Sequence, residues 1–168
     1  MDNPSFPDPE FRILFVCLGN ICRSPAAEIV FRTMIRKAGL EGRVAADSAG
    51  TIGVHQGNMP DERMLQSLRD NGYFYDGHRA RQIVSADLES FDMIVTMDES
   101  NLRDVRSLDR PQKQQDKIRP MHGFLRKLSS HEIPDPYYGD VSGFQYVIRL
   151  LEDASAGLIE ELKTRLDS

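Results

Sequence analysis

Two residue types that together suit phosphate chemistry stand six positions apart, Cys17 and Arg23, within Val16-Cys17-Leu18-Gly19-Asn20-Ile21-Cys22-Arg23-Ser24-Pro25. A cysteine attacks as its thiolate, and a nearby positive field lowers its pKa enough to expose that form. An arginine offers a planar fork that matches two oxygens of a phosphate. Placed around one anion, the pair is a nucleophile facing a bound phosphoryl group. For this to work the loop must join a strand to a helix. Successive backbone N–H groups of such a turn converge on an anion, and the helix start adds unpaired donors and the positive end of its dipole. Gly19 and Asn20 are the residues best able to take the left-handed conformations that the turn asks for. A Walker-type nucleotide loop is excluded, because Gly-Lys-Ser/Thr occurs nowhere in the chain.

The flanks supply the required elements. Arg12 to Val16 is a short apolar run with Ile and Val and reads as a buried strand. Ser24-Pro25 reads as an N-cap followed by proline at the first helical position, opening a helix from Ala26 to Lys37 that Gly39 stops. An isolated match of this spacing is more often a core cysteine and a surface arginine; here strand, glycine and helix start agree. Further strands are expected at Arg43–Asp47, Asp92–Thr96 and Ile118–Met121. Helices are expected at Asp61–Asp70, Ser85–Glu89, Glu99–Val105 and Gly143–Leu166, with a polar loop over Arg110–Gln115. Strands alternating with helices imply a single-domain α/β fold: a four-stranded parallel sheet with helices on both faces. The phosphate-binding loop would follow strand one, at a carboxyl end where such sheets bind ligands.

Composition narrows the function. The net charge of -5 leaves no basic excess for nucleic acid. Two cysteines are too few for a disulfide scaffold or a thiolate zinc site and suit a reducing, cytoplasmic compartment. The first ten residues, with Pro4, Pro7 and Pro9, read as a flexible tail rather than a secretory signal, and residues 11–168 as the folded domain. No apolar run is long enough to span a bilayer, so no membrane association is expected. His55, His122 and His131 lack ligand spacing, and no metal or cofactor is expected. Arg103, Arg106 and Arg110 read as a solvated helix face.

Beyond the loop, Cys17 to Ser24 resembles the signature of low-molecular-weight protein tyrosine phosphatases. The likeness continues in Asp47-Ser48-Ala49-Gly50, His78-Arg79-Ala80-Arg81, Met97-Asp98-Glu99-Ser100-Asn101-Leu102 and Asp135-Pro136-Tyr137-Tyr138. It covers nearly everything from Arg12 onward. The resemblance implies metal-independent hydrolysis of phosphotyrosine in proteins and of small aryl phosphates, with inorganic phosphate as product. It makes Cys17 the nucleophile, Arg23 the phosphate clamp and Asp135 the general acid and then base. Leu18, Gly19, Asn20, Ile21, Cys22 and Ser24 would surround the phosphate, with Ser24 on the Cys17 sulfur. Tyr137 and Tyr138 would wall the pocket and are candidate phosphorylation targets. Asn20, Ser48 and His78 would support the loop, and Asp98 would lie near the acid loop. Cys22 would protect Cys17 from over-oxidation through an oxidised pair. Read without the resemblance, Asp135-Pro136 is an ordinary turn and His78 a solvent-exposed histidine. Asp98 and Asn101 read as a helix cap in either case.

One departure stands out. Many members of that family carry an aromatic after the Ser-Ala-Gly-Thr stretch, whereas Thr51-Ile52-Gly53-Val54-His55 has none, leaving Val54 or His55 for that wall. Ile21 stands where phosphoarginine-directed relatives have a smaller threonine, which favours aryl phosphate. Two other functions fit the loop. A thiol-dependent arsenate reductase would relay oxidation through further cysteines, and none follows Cys22. A non-catalytic phosphate-binding module would need the loop without the acid. A monomer or weak dimer is expected.

Overall fold

The computed structural model describes residues 8–110 and 112–167. Residues 1–7 of the expected tail therefore lie outside the described residues. Glu10 already pairs through its backbone and side chain with Arg43.

Strand β1 (Phe11–Cys17) is central, and its residues alternate between two buried faces. Ile13, Phe15 and Cys17 join one apolar cluster; Leu14 and Val16 join the other. This period-2 alternation, with both faces covered, explains why the run is almost continuously apolar. β2 (Val44–Gly50) and β3 (Met93–Thr96) flank β1, and β4 (Ile118–Pro120) lies beyond β3, giving the all-parallel order β2-β1-β3-β4. Because the chain leaves β1 to one side for β2 and later fills the other side with β3, the end of β1 opens at a reversal of strand order.

Helices α1 (Arg23–Lys37), α2 (Glu62–Asp70) and α5 (Val141–Leu166) cover the Phe15 face. The short α3 (Asp87–Ser90) and α4 (Glu99–Leu108) supply Leu88, Leu102 and Val105 to the other. Every expected strand and helix is present, and most ends fall within one or two residues of expectation; α4 runs three residues longer. β2 runs to Gly50 rather than stopping at Asp47. Ser48, Ala49 and Gly50 have little strand propensity, but the ladder continues in register to Cys17↔Gly50, and backbone pairing outweighs propensity. As expected, Gly39 ends α1, with φ 75.

The start of α1 corrects the sequence reading. The N-cap is Cys22, not Ser24; it has no side-chain cap bond, and Pro25 sits in the third helical position. Pro25 is tolerated there because the first-turn N–H groups have no helical partner anyway. The earlier start places Arg23 and Ser24 inside the first turn, buried against the loop.

Candidate active site

The β1–α1 loop wraps the mouth of a pocket of about 250 Å³ lined by Cys17, Leu18, Gly19, Ile21, Cys22, Arg23, Ile52, Val54, His55, Asp135, Tyr137 and Tyr138. Of the residues singled out in the sequence, the pocket brings together Cys17, Arg23, Asp135, Leu18, Gly19, Ile21, Cys22, Tyr137 and Tyr138. Asn20, Ser24, Ser48, His78 and Asp98 stand behind it.

Asn20 takes the left-handed conformation, with φ 59. Gly19 does not, which corrects that expectation. A Cβ on Gly19 would lie 2.9 Å from His55 Cδ2, so the glycine lets the His55 ring pack over the loop. A second close approach is made at Gly50 of β2. A Cβ there would lie 2.7 Å from the Leu18 carbonyl oxygen and 3.0 Å from the Asn20 nitrogen. The loop backbone therefore rests directly on Gly50.

Asn20 holds the turn from the inside. Its Nδ2 donates to Ser24 Oγ (2.8 Å) and Ser48 Oγ (3.0 Å). Its Oδ1 accepts from the Arg81 backbone N–H at 3.0 Å and lies 2.8 Å from His78 Nε2. An oxygen at Oδ1 requires the His78 proton on Nε2. His78 is thus drawn inward, its side chain 8% exposed, correcting the solvent-exposed reading made from residue type alone. Ser48 Oγ passes the network on, donating to Glu28 Oε1 at 2.8 Å. Ser24 Oγ lies 3.1 Å from Cys17 Sγ, so Ser48, Asn20 and Ser24 connect Glu28 to the thiol.

Glu28 went unnoticed in the sequence. It stands four residues after Ser24 and four before Arg32, and that spacing, which puts all three on one helix face, was the available signal. Burial, opposed by Arg32, His78 and Ser48, pushes its carboxyl up to about 7. Asp47 goes the other way. Burial alone would raise it, but the hydrogen bonds of His78 and the Ser48 N–H, with Arg81 alongside, hold it at about 2. Glu28, Asp47 and His78 bring ligand-type atoms within 4.8 Å of one another. Glu28 Oε1 and Asp47 Oδ1 lie 3.4 and 3.5 Å from His78 Nδ1 and already accept from the Ser48 hydroxyl and the Ser48 N–H.

Arg23 is buried and fixed before any ligand arrives. Its Nη1 donates to Asp98 Oδ2 at 2.6 Å and to the Ile133 carbonyl at 3.0 Å, and Nη2 lies 3.7 Å from Asp135 Oδ2. Burial works against its charge, but Cys17, Asp98 and Asp135 together raise its pKa above the ordinary arginine value. Asp98 meanwhile caps α4 in a reciprocal box with Asn101, as the sequence indicated. The two thiols are free and differ in setting. Burial, reinforced by the charges of Asp61, Cys17 and Asp135, pushes the Cys22 thiol up, so Cys22 stays protonated. Asp135 is partly exposed at the mouth, and its Oδ1 accepts the Tyr137 backbone N–H at 3.1 Å. The wall expected of Val54 or His55 is lined by both, and by Ile52 of the same stretch. Arg103, Arg106 and Arg110 are exposed.

Among the described residues no helix is long and apolar enough to cross a membrane. Comparison with known proteins gives concordant results. The chain is 42% identical over 152 residues to the low molecular weight phosphotyrosine protein phosphatase of Schizosaccharomyces pombe, covering 90% of this chain and 96% of that one. The crystal structure of a protein tyrosine phosphatase from Entamoeba histolytica, with Hepes in its active site, superposes with a TM-score of 0.87. It is 43% identical and covers 92% of this chain and 97% of that one. YfkJ from Bacillus subtilis superposes with a TM-score of 0.86 at 39% identity, covering 92% and 96%. Residues 12–168 match the family model for low molecular weight phosphotyrosine protein phosphatases, and the chain belongs to that family.

Proposed function

We propose that this protein is a metal-independent protein tyrosine phosphatase that works through a cysteinyl-phosphate intermediate, with phosphotyrosine-containing proteins as substrates. The observation that carries the reading is the convergence of Cys17, Arg23 and Asp135 on one pocket, with Ser24 Oγ 3.1 Å from the Cys17 sulfur.

In this mechanism the Cys17 thiolate attacks phosphorus in line with the leaving phenolate. The guanidinium edge of Arg23 not engaged by Asp98, together with the amides of Leu18 to Arg23, takes the three non-bridging oxygens and their transition-state charge. Asp98 and the Ile133 carbonyl hold Arg23 in place, so little reorganisation accompanies phosphate entry. Asp135, at the mouth, protonates the phenolate oxygen and then takes a proton from the water that hydrolyses the thiophosphate. The Ser24 hydroxyl stabilises the sulfur as it leaves. Asn20, Ser48 and His78 keep the turn in shape. Leu18, Ile21, Tyr137 and Tyr138 flank the substrate ring. Two free thiols suit a reducing, cytoplasmic setting, and Cys22 is the partner for an oxidised Cys17.

The test is turnover of p-nitrophenyl phosphate with thiol and chelator present, beside Cys17→Ser and Asp135→Ala. Loss of turnover in the first and a slowing of about a hundredfold or more in the second is the expected result. Phosphotyrosine peptides should be hydrolysed, and phosphoserine and phosphoarginine peptides left intact. No turnover by the folded, reduced protein would refute the reading and leave a phosphate-binding module.

A further inference from the structure

Eleven large apolar side chains are exposed among the described residues, and five of them (Leu18, Ile52, Val54, Tyr137 and Tyr138) line the mouth of one small pocket. Isolated exposed apolar residues need no explanation; a concentration around a binding site marks a contact surface. Val54 is 72% exposed and Tyr138 93% exposed. They stand on different loops. Side chains this exposed would be available to the residues that flank a phosphotyrosine seated over Cys17.

The Ile52–Val54 segment is a fixed ledge. Beyond the end of β2 its backbone still pairs with the outgoing β1 chain, Thr51 N–H donating to the Cys17 carbonyl at 2.9 Å and Ile52 N–H to the Leu18 carbonyl at 3.1 Å. Gln82 buttresses it from behind, its Nε2 donating to the Thr51 carbonyl at 3.2 Å and its N–H to Gln56 Oε1 at 3.1 Å. Gly57 N–H donates to the Ala80 carbonyl at 2.8 Å. The apolar tops are therefore presented on ordered backbone, and covering them costs little conformational entropy.

The charges around the mouth complete the argument. Of the lining residues, Arg23 is buried and committed to Asp98, Asp135 is the acid of the proposed mechanism, and His55 is the remaining basic side chain. Arg63, beside Tyr137, is paired with Asp61 at 2.9 Å and lies 5.2 Å from the Tyr137 ring centroid. Among the described residues no lysine, and no arginine other than Arg23, lines the mouth, and the chain carries a net charge of -5. An acidic residue beside the phosphotyrosine finds only His55 among the lining side chains, with Arg63 already paired to Asp61; an aliphatic one finds exposed apolar side chains on ordered backbone.

We infer that this phosphatase selects phosphotyrosine flanked by bulky aliphatic residues, with Ile52 and Val54 as the specificity-determining contact. The inference rests on the phosphatase reading above and names the substrate class within it. A leucine half-covered by the ledge should raise kcat/KM about fivefold over alanine. The experiment compares phosphotyrosine peptides identical except for Leu, Ala or Glu at each position from two before to two after the phosphotyrosine, at 0.05 and 0.5 M salt.

The expected result is the order Leu, Ala, Glu at one position at least, with a Leu-to-Ala ratio near five that survives high salt. Val54→Lys should bring that ratio below two and lift the Glu peptide above the Ala peptide at low salt. Equal rates for the three peptides would overturn the inference while leaving the phosphatase reading standing. So would a Leu-to-Ala ratio that Val54→Lys leaves unchanged. A preference confined to low salt would also overturn it, because screening removes charge effects and spares apolar ones. Failure to turn over p-nitrophenyl phosphate or any peptide would instead bring down the phosphatase reading itself, and this inference with it.

Discussion

Replacing Glu28 by glutamine should make the protein more stable at pH 8 while changing little, or slightly weakening it, at pH 5. The Glu28 side chain is 1% exposed. It sits between Ser48 Oγ at 2.8 Å and Arg32 Nη1 at 3.1 Å. Burial carries its carboxyl from an ordinary 4.5 to about 7. At ~1.4 kcal/mol per pH unit, that difference is worth roughly 3 kcal/mol. The sign follows from which state holds the proton. Between pH 4.5 and 7 the folded protein keeps it and the unfolded chain has lost it, so folding stability falls as pH rises through this window. Above pH 7 the full cost of a buried carboxylate is present.

Glutamine keeps the acceptor for Ser48 and removes the charge. Arg32 keeps Asp76 at 2.7 Å and the Ala46 carbonyl at 2.5 Å. Asp47, held at about 2, stays ionised throughout and does not contribute to the slope. The assay is urea unfolding of the reduced protein and of Glu28→Gln at pH 5, 6, 7 and 8. The difference between them should move by roughly 3 kcal/mol in favour of the variant across the series. A difference constant to within about 0.5 kcal/mol, or one moving the other way, would refute the reasoning.

Three further outcomes follow from the packing and the thiols. In Gly157→Ala the new Cβ would run into the Phe124 carbonyl oxygen, a backbone atom that cannot swing aside. Thermal denaturation should show a loss of about 3 kcal/mol and roughly 10 °C in Tm, and an unchanged Tm would mean α5 does not pack this closely. Gly50→Ala places its Cβ 2.7 Å from the Leu18 carbonyl and should displace the phosphate loop. Steady-state kinetics on p-nitrophenyl phosphate should show kcat reduced by about tenfold or more, with a much smaller change in Tm; wild-type kcat would show that the loop does not rest on Gly50. Peroxide should convert Cys17 to a sulfenic acid that condenses with the protonated Cys22 thiol, losing water to form a disulfide. In Cys22→Ser excess peroxide instead carries the sulfenic acid on to a sulfinic acid, so dithiothreitol restores activity in the wild type and not in the variant; equal recovery in both would end the protective reading.

Much of the fold was legible because the signals were local. The β1 run is apolar on both faces, Gly39 and Asn71-Gly72 punctuate α1 and α2, and the long period of Phe144, Val147, Leu151 and Leu158 announces α5. The pocket residues were legible because the loop, the acid turn and the aromatic pair each sit in a short recognisable stretch. What was not legible depends on residues distant in the chain. The extension of β2 to Gly50 is fixed by its partner strand and not by its own composition. The N-cap at Cys22 follows from the first-turn donors facing into the loop, where a Ser-Pro pair by itself signals a start two residues later. His78 is inward because Asn20 and Ser48 wait for it from two other elements. Glu28 reads as one more charge on a helix until the sheet is laid against it.

The contacts that hold the loop span very different stretches of chain: 7 residues from Cys17 to Ser24, 28 from Asn20 to Ser48, 58 from Asn20 to His78, 75 from Arg23 to Asp98 and 110 from Arg23 to Ile133. On a ribosome the proposed nucleophile is made early and its last support late. A nascent chain of a hundred residues already carries Cys17, Arg23 and Asp98 but has neither the Ile133 carbonyl nor Asp135, and α5 has yet to cover the α1 face of the sheet. Synthesis thus separates possession of a thiol from possession of an active site. The chain becomes competent only once most of it has been released to fold, so a prematurely terminated product that ends before residue 133 contains the signature loop and lacks the means to use it.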